Sequence, residues 1–385
     1  MIVKSSPTLE EKVVILGEAA QFDLCGACFE GNKRVRRPGG GWIYPAVLSD
    51  GKKVNLLKIL LTNQCVHNCL YCANRAEHRA FRISFQAEEL ARLFIALYQR
   101  NLVRGLFLSS AVGKSVFSTM EDILKVGEIL RYKYHFSGYI HLKILPGVTA
   151  DYVVEAARLA SRVSVNLEAP SSQHLYRIAP EKDYANIFSY FGVLKKLAEQ
   201  KKIPPRLGVT TQLVVGPGGE TDREIVQVVS SLYRQFGLSR AYFSAFQPLS
   251  LTPLADYPPT PLEREHRLYQ ADFLLRRYGF SPEELVFEDD GQLSSRFDPK
   301  LAWAKNHPEF FPVEINSAPY PVLIRVPGIG PTSANKIIRL RRKNKFSALS
   351  ELKRLGVRAN HCAPFILLNG KKPRVNKQLS LWEGI

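Results

Sequence analysis

The feature that most restricts the fold is a repeated alternation of short apolar runs with amphipathic stretches between residues 54 and 246. Val54-Asn-Leu-Leu-Lys-Ile-Leu-Leu61 is an apolar run of strand length, and further runs of that kind occupy 104–110, 139–145, 162–168, 207–215 and 240–246. Between them, apolar residues recur at helical spacing. Ser84 to Arg100 carries Leu90, Leu93, Phe94 and Leu97, with Ser84 placed to cap it, and similar patterns lie near 119–133, 149–160, 184–200 and 221–236. Strands separated by helices predict a parallel α/β sheet wound as a barrel or part of one. In such barrels the site forms at the C-terminal ends of the strands, so the loop after Leu61 is expected to face it.

That loop holds Cys65, Cys69 and Cys72 in the order Cys-Val-His-Asn-Cys-Leu-Tyr-Cys. Three closely spaced thiolates suit an iron–sulfur cluster, whose irons take soft ligands. A zinc knuckle is the competing reading, with His67 or His78 as a fourth ligand. A structural four-cysteine cluster would need a fourth close cysteine, which the loop lacks. The spacing of three and then two residues, with the aromatic Tyr71 before the third cysteine, resembles the radical S-adenosylmethionine (SAM) superfamily. That resemblance implies a [4Fe–4S] cluster on Cys65, Cys69 and Cys72, with one iron open to SAM. Cleavage of SAM would then give a hydrogen-abstracting 5′-deoxyadenosyl radical.

Other strand ends extend the resemblance. Ser164-Val-Asn-Leu-Glu168, followed by Leu175-Tyr-Arg-Ile178, is similar to the segment after the fourth strand in lipoyl and biotin synthases. By that likeness Asn166 and Glu168 hold the cofactor ribose and Arg177 pairs with the methionine carboxylate. Gln212-Leu-Val-Val-Gly-Pro-Gly-Gly-Glu220 resembles the superfamily's fifth-strand glycine motif, in which Gly216 lets backbone approach the adenine. Ser109-Ser110 stands where the superfamily usually carries the Gly-Gly-Glu segment that binds the methionine amine, a departure from its pattern.

Charge points to the partner. The net charge is +18, and between Ser317 and Lys377 fourteen Lys or Arg stand against a single acid, Glu351. Such one-sidedness favours a polyanion, nucleic acid above all. Within that stretch, Leu323-Ile-Arg-Val-Pro-Gly-Ile-Gly-Pro-Thr-Ser-Ala334 matches a helix-hairpin-helix pattern. Gly328 and Gly330 allow the tight turn and open the next helix's N-terminus to a phosphate, with Lys336, Arg339, Arg341 and Arg342 on or beside that helix. Leu352-Lys-Arg-Leu-Gly-Val357 repeats the pattern weakly, with a second helix expected around His361 to Leu368.

The expected organisation is a lead-in over 1–53, a partial (β/α)6 radical SAM barrel over 54–255, a helical or irregular bridge over 256–316, an all-α helix-hairpin-helix domain over 317–370, and a tail over 371–385. Met1–Glu11 has no apolar leader region and no window reaches membrane-span length, so the chain reads as cytosolic. There, clustered cysteines usually mean metal or redox chemistry. Cys362 reads as a small core residue. Cys25-Gly-Ala-Cys28 in the lead-in could be a redox or hydrogen-donating pair, a zinc half-site or structural.

The whole chain resembles a family of DNA modification or repair radical SAM proteins found with uracil-glycosylase-like partners. Gln21-Phe-Asp-Leu-Cys25, the cysteine loop, Asp298-Pro-Lys-Leu-Ala-Trp303, Phe311-Pro-Val-Glu-Ile-Asn316 and the hairpin carry that likeness. In those relatives the lead-in more often reads Cys-x-Ser-Ser, so Cys25 is the position that carries over as catalytic. The resemblance implies hydrogen abstraction from DNA. RNA modification, or a DNA-binding protein with a structural or redox-sensing cluster, are the alternatives. In the tail, Gln378-Leu-Ser-Leu-Trp382 is similar to the peptide by which bacterial repair proteins dock on the sliding clamp.

Overall fold

The computed structural model describes residues 7–20, 29–30, 33–34, 43–47 and 53–373. Cys25, Cys28 and the clamp-like segment 378–382 lie outside them. The chain divides into two compact units, Met1–Glu265 and His266–Ile385.

The first unit is built on one seven-stranded sheet whose strands follow in chain order. Strand β1 (Ile43–Val47) pairs antiparallel with β2 (Lys53–Leu60), and every later pair is parallel: β3 (Gly105–Ser109), β4 (Tyr139–Ile144), β5 (Arg162–Val165), β6 (Gly208–Val215) and β7 (Arg240–Ala245). The six parallel strands are those expected from the alternation. The curled sheet with helices on it is the predicted partial barrel. The antiparallel edge strand was not foreseen. Its Pro45 is tolerated because an edge strand has one row of N–H groups that no neighbour needs.

Helices α2 (Ala87–Gln99), α3 (Val116–Glu128), α4 (Ala150–Leu159), α6 (Tyr184–Glu199) and α7 (Asp222–Phe236) provide the crossovers. Their apolar stripes meet the sheet through residues such as Leu90, Ile123, Val153, Leu194 and Val229, all essentially buried. Helix α1 (Leu9–Ala19) precedes the sheet and begins with a capping box. Glu11 N–H donates to Thr8 Oγ1 at 3.2 Å, and Thr8 N–H to Glu11 Oε2 at 2.9 Å. A seven-residue helix, α5 (Ser172–Ile178), fills the loop between β5 and α6.

Helix α8 (Leu262–Arg277) carries the chain towards the second unit, which holds α9 (Pro299–Asn306), α10 (Tyr320–Leu323), α11 (Pro331–Leu340), α12 (Leu349–Arg354) and α13 (Ala359–Cys362). Leu323, Val326, Ile329, Ile337, Leu352 and Cys362 share its core. Cys362 is fully buried, and burial pushes its thiol up to about 12. Among the described residues of this unit the strands are a two-residue parallel pair, β8 (Val313–Glu314) with β9 (Ile366–Leu367). The helix expected to run to Leu368 stops at Cys362, because Pro364 follows and a short 3₁₀ turn hands over to β9.

Candidate active site and nucleic-acid interface

The cysteine loop leaves β2 and runs beside the end of β3. Leu61 N–H donates to Ser109 O at 2.8 Å, Ala111 N–H to Thr62 O at 3.0 Å, and Val66 N–H to Val112 O at 2.8 Å. Ser109 and Ser110 are thereby brought against the loop. Both are buried, and Ser110 Oγ has no hydrogen-bond partner among the described residues. Leu70 N–H donates to Ile178 O, which ties the loop to the end of α5.

One side chain outside every motif holds the loop's shape. The Arg82 guanidinium donates to the carbonyls of Asn63, Asn74, Arg75 and His78, the last three at 3.1, 2.6 and 2.8 Å. A planar fork with five donors can satisfy several carbonyls that a loop otherwise leaves orphaned. Asn63 closes the same end, donating to Phe81 O and accepting from Ile83 N–H, both at 2.8 Å. The two histidines considered as metal ligands are engaged through Nδ1, His67 with Glu181 at 2.9 Å and His78 with Ala73 O at 2.6 Å.

Cys69 is buried, while Cys65 and Cys72 keep partial exposure. Burial raises the Cys69 pKa, opposed by Lys182, and the protein packed around the Cys72 thiol pushes it up to about 12, with Cys69 and Cys65 adding to the effect. The three thiols thus lie within electrostatic reach of one another. Asn74 N–H points at Cys72 Sγ from 3.4 Å. Among the described residues no three His, Cys, Asp or Glu side chains converge on a single-ion site. A cubane cluster does not require that, because each cysteine binds a different iron. The donor set, three soft sulfurs with a backbone N–H directed at one, fits an iron–sulfur cluster.

Beside the cysteines lies a buried charge pair. Lys182 Nζ stands 3.0 Å from Glu168 Oε1, with both side chains almost wholly buried. Burial works against the Lys182 ammonium, but Glu168, Tyr71 and Cys69 outweigh it and hold its pKa well above the usual range. The same setting, burial first and Glu168 second, raises the Tyr71 phenol well above its ordinary value. Glu168 has a left-handed backbone, φ 65°. The reason is a bulge: between the pairs Ser164↔Thr210 and Glu168↔Leu213, the β5 side advances four residues against three on β6. Bulges re-aim side chains and concentrate near functional sites. Asn166 lies within it and is partly exposed.

Arg177 and the glycine motif meet. Arg177 Nη1 donates to Gly218 O at 3.0 Å. Gly216 has φ +109°, and a Cβ there would lie 1.9 Å from Thr260 Oγ1. The space that this glycine leaves is therefore taken by Thr260, whose hydroxyl donates to Val215 O at 2.8 Å. The motif's Glu220 is buried and accepts from Gly216 N–H, and burial raises its pKa. Arg264 anchors the turn, 2.7 Å from Asp222 Oδ1 and 2.7 Å from Glu220 O. Lys182, Thr260 and Arg264 sit in no recognisable motif; only the fold shows them.

The Radical SAM superfamily model matches residues 59–232. The chain carries a radical SAM domain. Enzymes of this superfamily use a [4Fe–4S] cluster and SAM, the cofactors expected from the cysteine spacing. A helix-hairpin-helix model matches residues 310–358. The radical SAM chain is 25% identical over 201 residues to a threonylcarbamoyladenosine tRNA methylthiotransferase of Thermotoga maritima, covering 51% of this chain and 44% of that one. It is 26% identical over 214 residues to a tRNA-2-methylthio-N(6)-dimethylallyladenosine synthase of Bacillus licheniformis, covering 52% and 40%. The chain thus spans less than half the length of these relatives. Among solved structures, a radical SAM methyltransferase from Sphaerobacter thermophilus is similar with TM-score 0.43 and 15% identity, over 60% of this chain and 74% of that one.

In the second unit the hairpin Val326-Pro-Gly-Ile-Gly330 joins α10 to α11. Gly328 takes φ +82°, and a Cβ there would stand 2.7 Å from Arg358 O, so no other residue fits. Gly330 serves differently from the tight-turn role expected of it. Its backbone is extended and it caps α11 without a side chain, with Pro331 at the first helical position. The first turn's N–H groups therefore meet no capping side chain, the arrangement that favours an anion. Lys336 and Arg339 on α11 are exposed. Arg341 is not available in the same way, since it donates to Ile315 O and Ala318 O at 2.8 and 2.7 Å.

Beneath the hairpin, buried Lys300 donates to Ile329 O at 2.5 Å and lies 4.7 Å over the Tyr278 ring. Burial lowers its pKa to about 7, only partly opposed by Asp298. The unfolded chain holds this proton up to its ordinary pKa, so between the two values the folded state binds fewer protons and stability rises with pH. Raising the pH from 7 to 8 should strengthen folding by about 1 kcal/mol in denaturant titrations, and Lys300→Met should flatten that slope.

Proposed function

We propose that this radical SAM enzyme acts on a nucleotide of DNA, which its helix-hairpin-helix motif engages through the phosphate backbone. The observation that carries this reading is the α11 N-terminus, free of any capping side chain, with Lys336 and Arg339 on the same helix. Backbone contacts of that type fix position without reading sequence. A base inside a duplex cannot reach a barrel rim, so the target would be flipped or single-stranded.

The cluster and SAM, when bound, would supply hydrogen-abstracting one-electron chemistry. Cys65, Cys69 and Cys72 would hold the cluster. Glu168 would accept from the ribose hydroxyls beside Asn166, with Lys182 holding its carboxylate in place. Arg177 would present the arm not given to Gly218 to the methionine carboxylate, and Ser109-Ser110 would meet the amine. A uracil-glycosylase-like partner and clamp docking through 378–382 belong to the same reading. A peptide of residues 374–385 should bind a sliding clamp, and Leu381→Ala with Trp382→Ala should abolish it.

RNA modification is the second reading, and the tRNA-modifying names of the two relatives favour it. The deciding experiment is anaerobic turnover with dithionite, following 5′-deoxyadenosine with single-stranded DNA, duplex DNA or tRNA present. Stimulation by DNA alone supports the proposal. Stimulation by tRNA alone replaces it with the second.

A further inference from the structure

The turn that follows α5 is fastened to the cysteine loop. Leu70 N–H donates to Ile178 O at 2.8 Å, Asn68 N–H donates to Glu181 Oε2 at 3.0 Å, and His67 Nδ1 lies 2.9 Å from the same carboxylate oxygen. Lys182 comes next in the chain, and its backbone N–H closes the turn on Ala179 O at 3.0 Å. Two adjacent residues of opposite charge are thereby held against the loop, and they differ in their access to water. The Glu181 side chain is 41% exposed, whereas that of Lys182 is 11% exposed and that of its partner Glu168 is 6% exposed.

The ion pair of Lys182 with Glu168 acts on the cysteines unequally. At the Cys69 thiol, Lys182 is the strongest of the neighbouring charges, ahead of Glu168 and Cys65, and the exposed Glu181 comes last. Lys182 also reaches Cys72, where burial, Cys69, the Asn74 N–H and Cys65 weigh more. At the sulfurs the positive end of the pair therefore outweighs the negative one. Burial explains the ranking of the two turn residues, because a charge out of water is screened far less than one in it.

We propose that the Lys182 ammonium sets how readily the iron–sulfur cluster accepts its electron. The inference rests on the reading that Cys65, Cys69 and Cys72 hold that cluster. Reduction takes one electron from an external low-potential donor, breaks no bond and moves no proton. It makes a core already outweighed by thiolates more negative by one charge, and a fixed, buried cation favours that state. A buried unit charge beside the cluster is worth about tenfold in the ratio of reduced to oxidised protein at a fixed potential. For a one-electron couple, tenfold is about 59 mV. One ion pair then serves two ends of the site, with Glu168 placed for the ribose and Lys182 acting on the cluster.

The test is a redox titration followed by electron paramagnetic resonance on full-length, anaerobically reconstituted protein without SAM, with iron measured on every sample. Lys182→Met should lower the ratio of reduced to oxidised cluster at a fixed potential by about tenfold. Lys182→Met combined with Glu168→Gln leaves no buried carboxylate unpaired, and it should shift the ratio in the same direction. Lys182→Arg keeps the charge and should stay within about threefold of the wild type. Glu181→Gln retains an oxygen for the Asn68 N–H but removes an exposed negative charge, so it should change the ratio by less than about threefold and in the opposite direction. An unmoved potential in both Met variants at full iron content overturns the role of Lys182. So does a shift in Lys182→Arg as large as that in Lys182→Met, or a Glu181→Gln shift of the same sign and size. Loss of the cluster from every Lys182 variant makes the residue structural and likewise overturns it. A wild type without a cluster, or a cluster kept when all three cysteines are Ala, ends the cysteine reading and this inference with it. An intact cluster whose potential ignores Lys182 ends this inference alone.

Discussion

Replacing Cys65, Cys69 and Cys72 together with Ala should abolish both the brown chromophore and SAM cleavage, leaving background iron where the wild type binds about four irons per chain. The effect is close to total because no side chain among the described residues is placed to substitute. His67 and His78 are tied to Glu181 and to Ala73 O, and the described residues offer no cluster of three side chains that would hold a metal ion in place of the thiols. The fold should survive. The loop is held by Arg82, Asn63 and backbone bonds to Val112 and Ile178, none of which involves a thiol. Iron analysis, visible absorption and thermal melting of one preparation check all three statements. A triple variant that keeps a full cluster, or a wild type that holds only zinc, would remove the basis for the proposed chemistry.

Charge reversal on α11, Lys336→Glu with Arg339→Glu, should weaken duplex binding by about a hundredfold at moderate salt and lower the steepness of its salt dependence by about two units in a log–log plot. Each lost phosphate contact removes about one released counterion, so the slope reports the number of contacts directly. Both side chains are exposed and carry no packing role, so stability should stay within about 0.5 kcal/mol of the wild type. SAM cleavage without nucleic acid should be unaffected, because neither residue belongs to the radical SAM domain. Fluorescence anisotropy over a salt series decides it. An unchanged slope would show that these side chains do not touch phosphate and would remove the main support for the DNA reading.

Much of this architecture is legible in the chain. The alternation from Val54 to Phe246 places all six parallel strands, and the helices fall within a few residues of their periodic patterns, because amphipathic crossovers on a buried sheet leave a strong signal. Helix α1 was missed although Thr8-Leu-Glu-Glu11 is a capping box that pattern reading can find. Strand β1 was missed because its Pro45 argues against a strand wherever the neighbour is unknown. Lys58 sits inside Leu-Leu-Lys-Ile-Leu and reads as a blemish in an apolar run until register sets it beside Phe107. Lys182, Thr260 and Arg82 act across 14, 45 and up to 19 residues of sequence, and no local pattern encodes such partners.

Arg82 has a consequence for how the enzyme is made. A guanidinium that satisfies four carbonyls of the cysteine loop relieves cluster insertion of the task of ordering that loop, since no iron takes part in those bonds. The apo-protein is then a template rather than a chain waiting to fold around metal, unlike small zinc modules whose metal and fold arrive together. An enzyme that loses its cluster to oxygen would keep the mould and could be refilled, and the side chain that preserves it touches neither iron nor substrate.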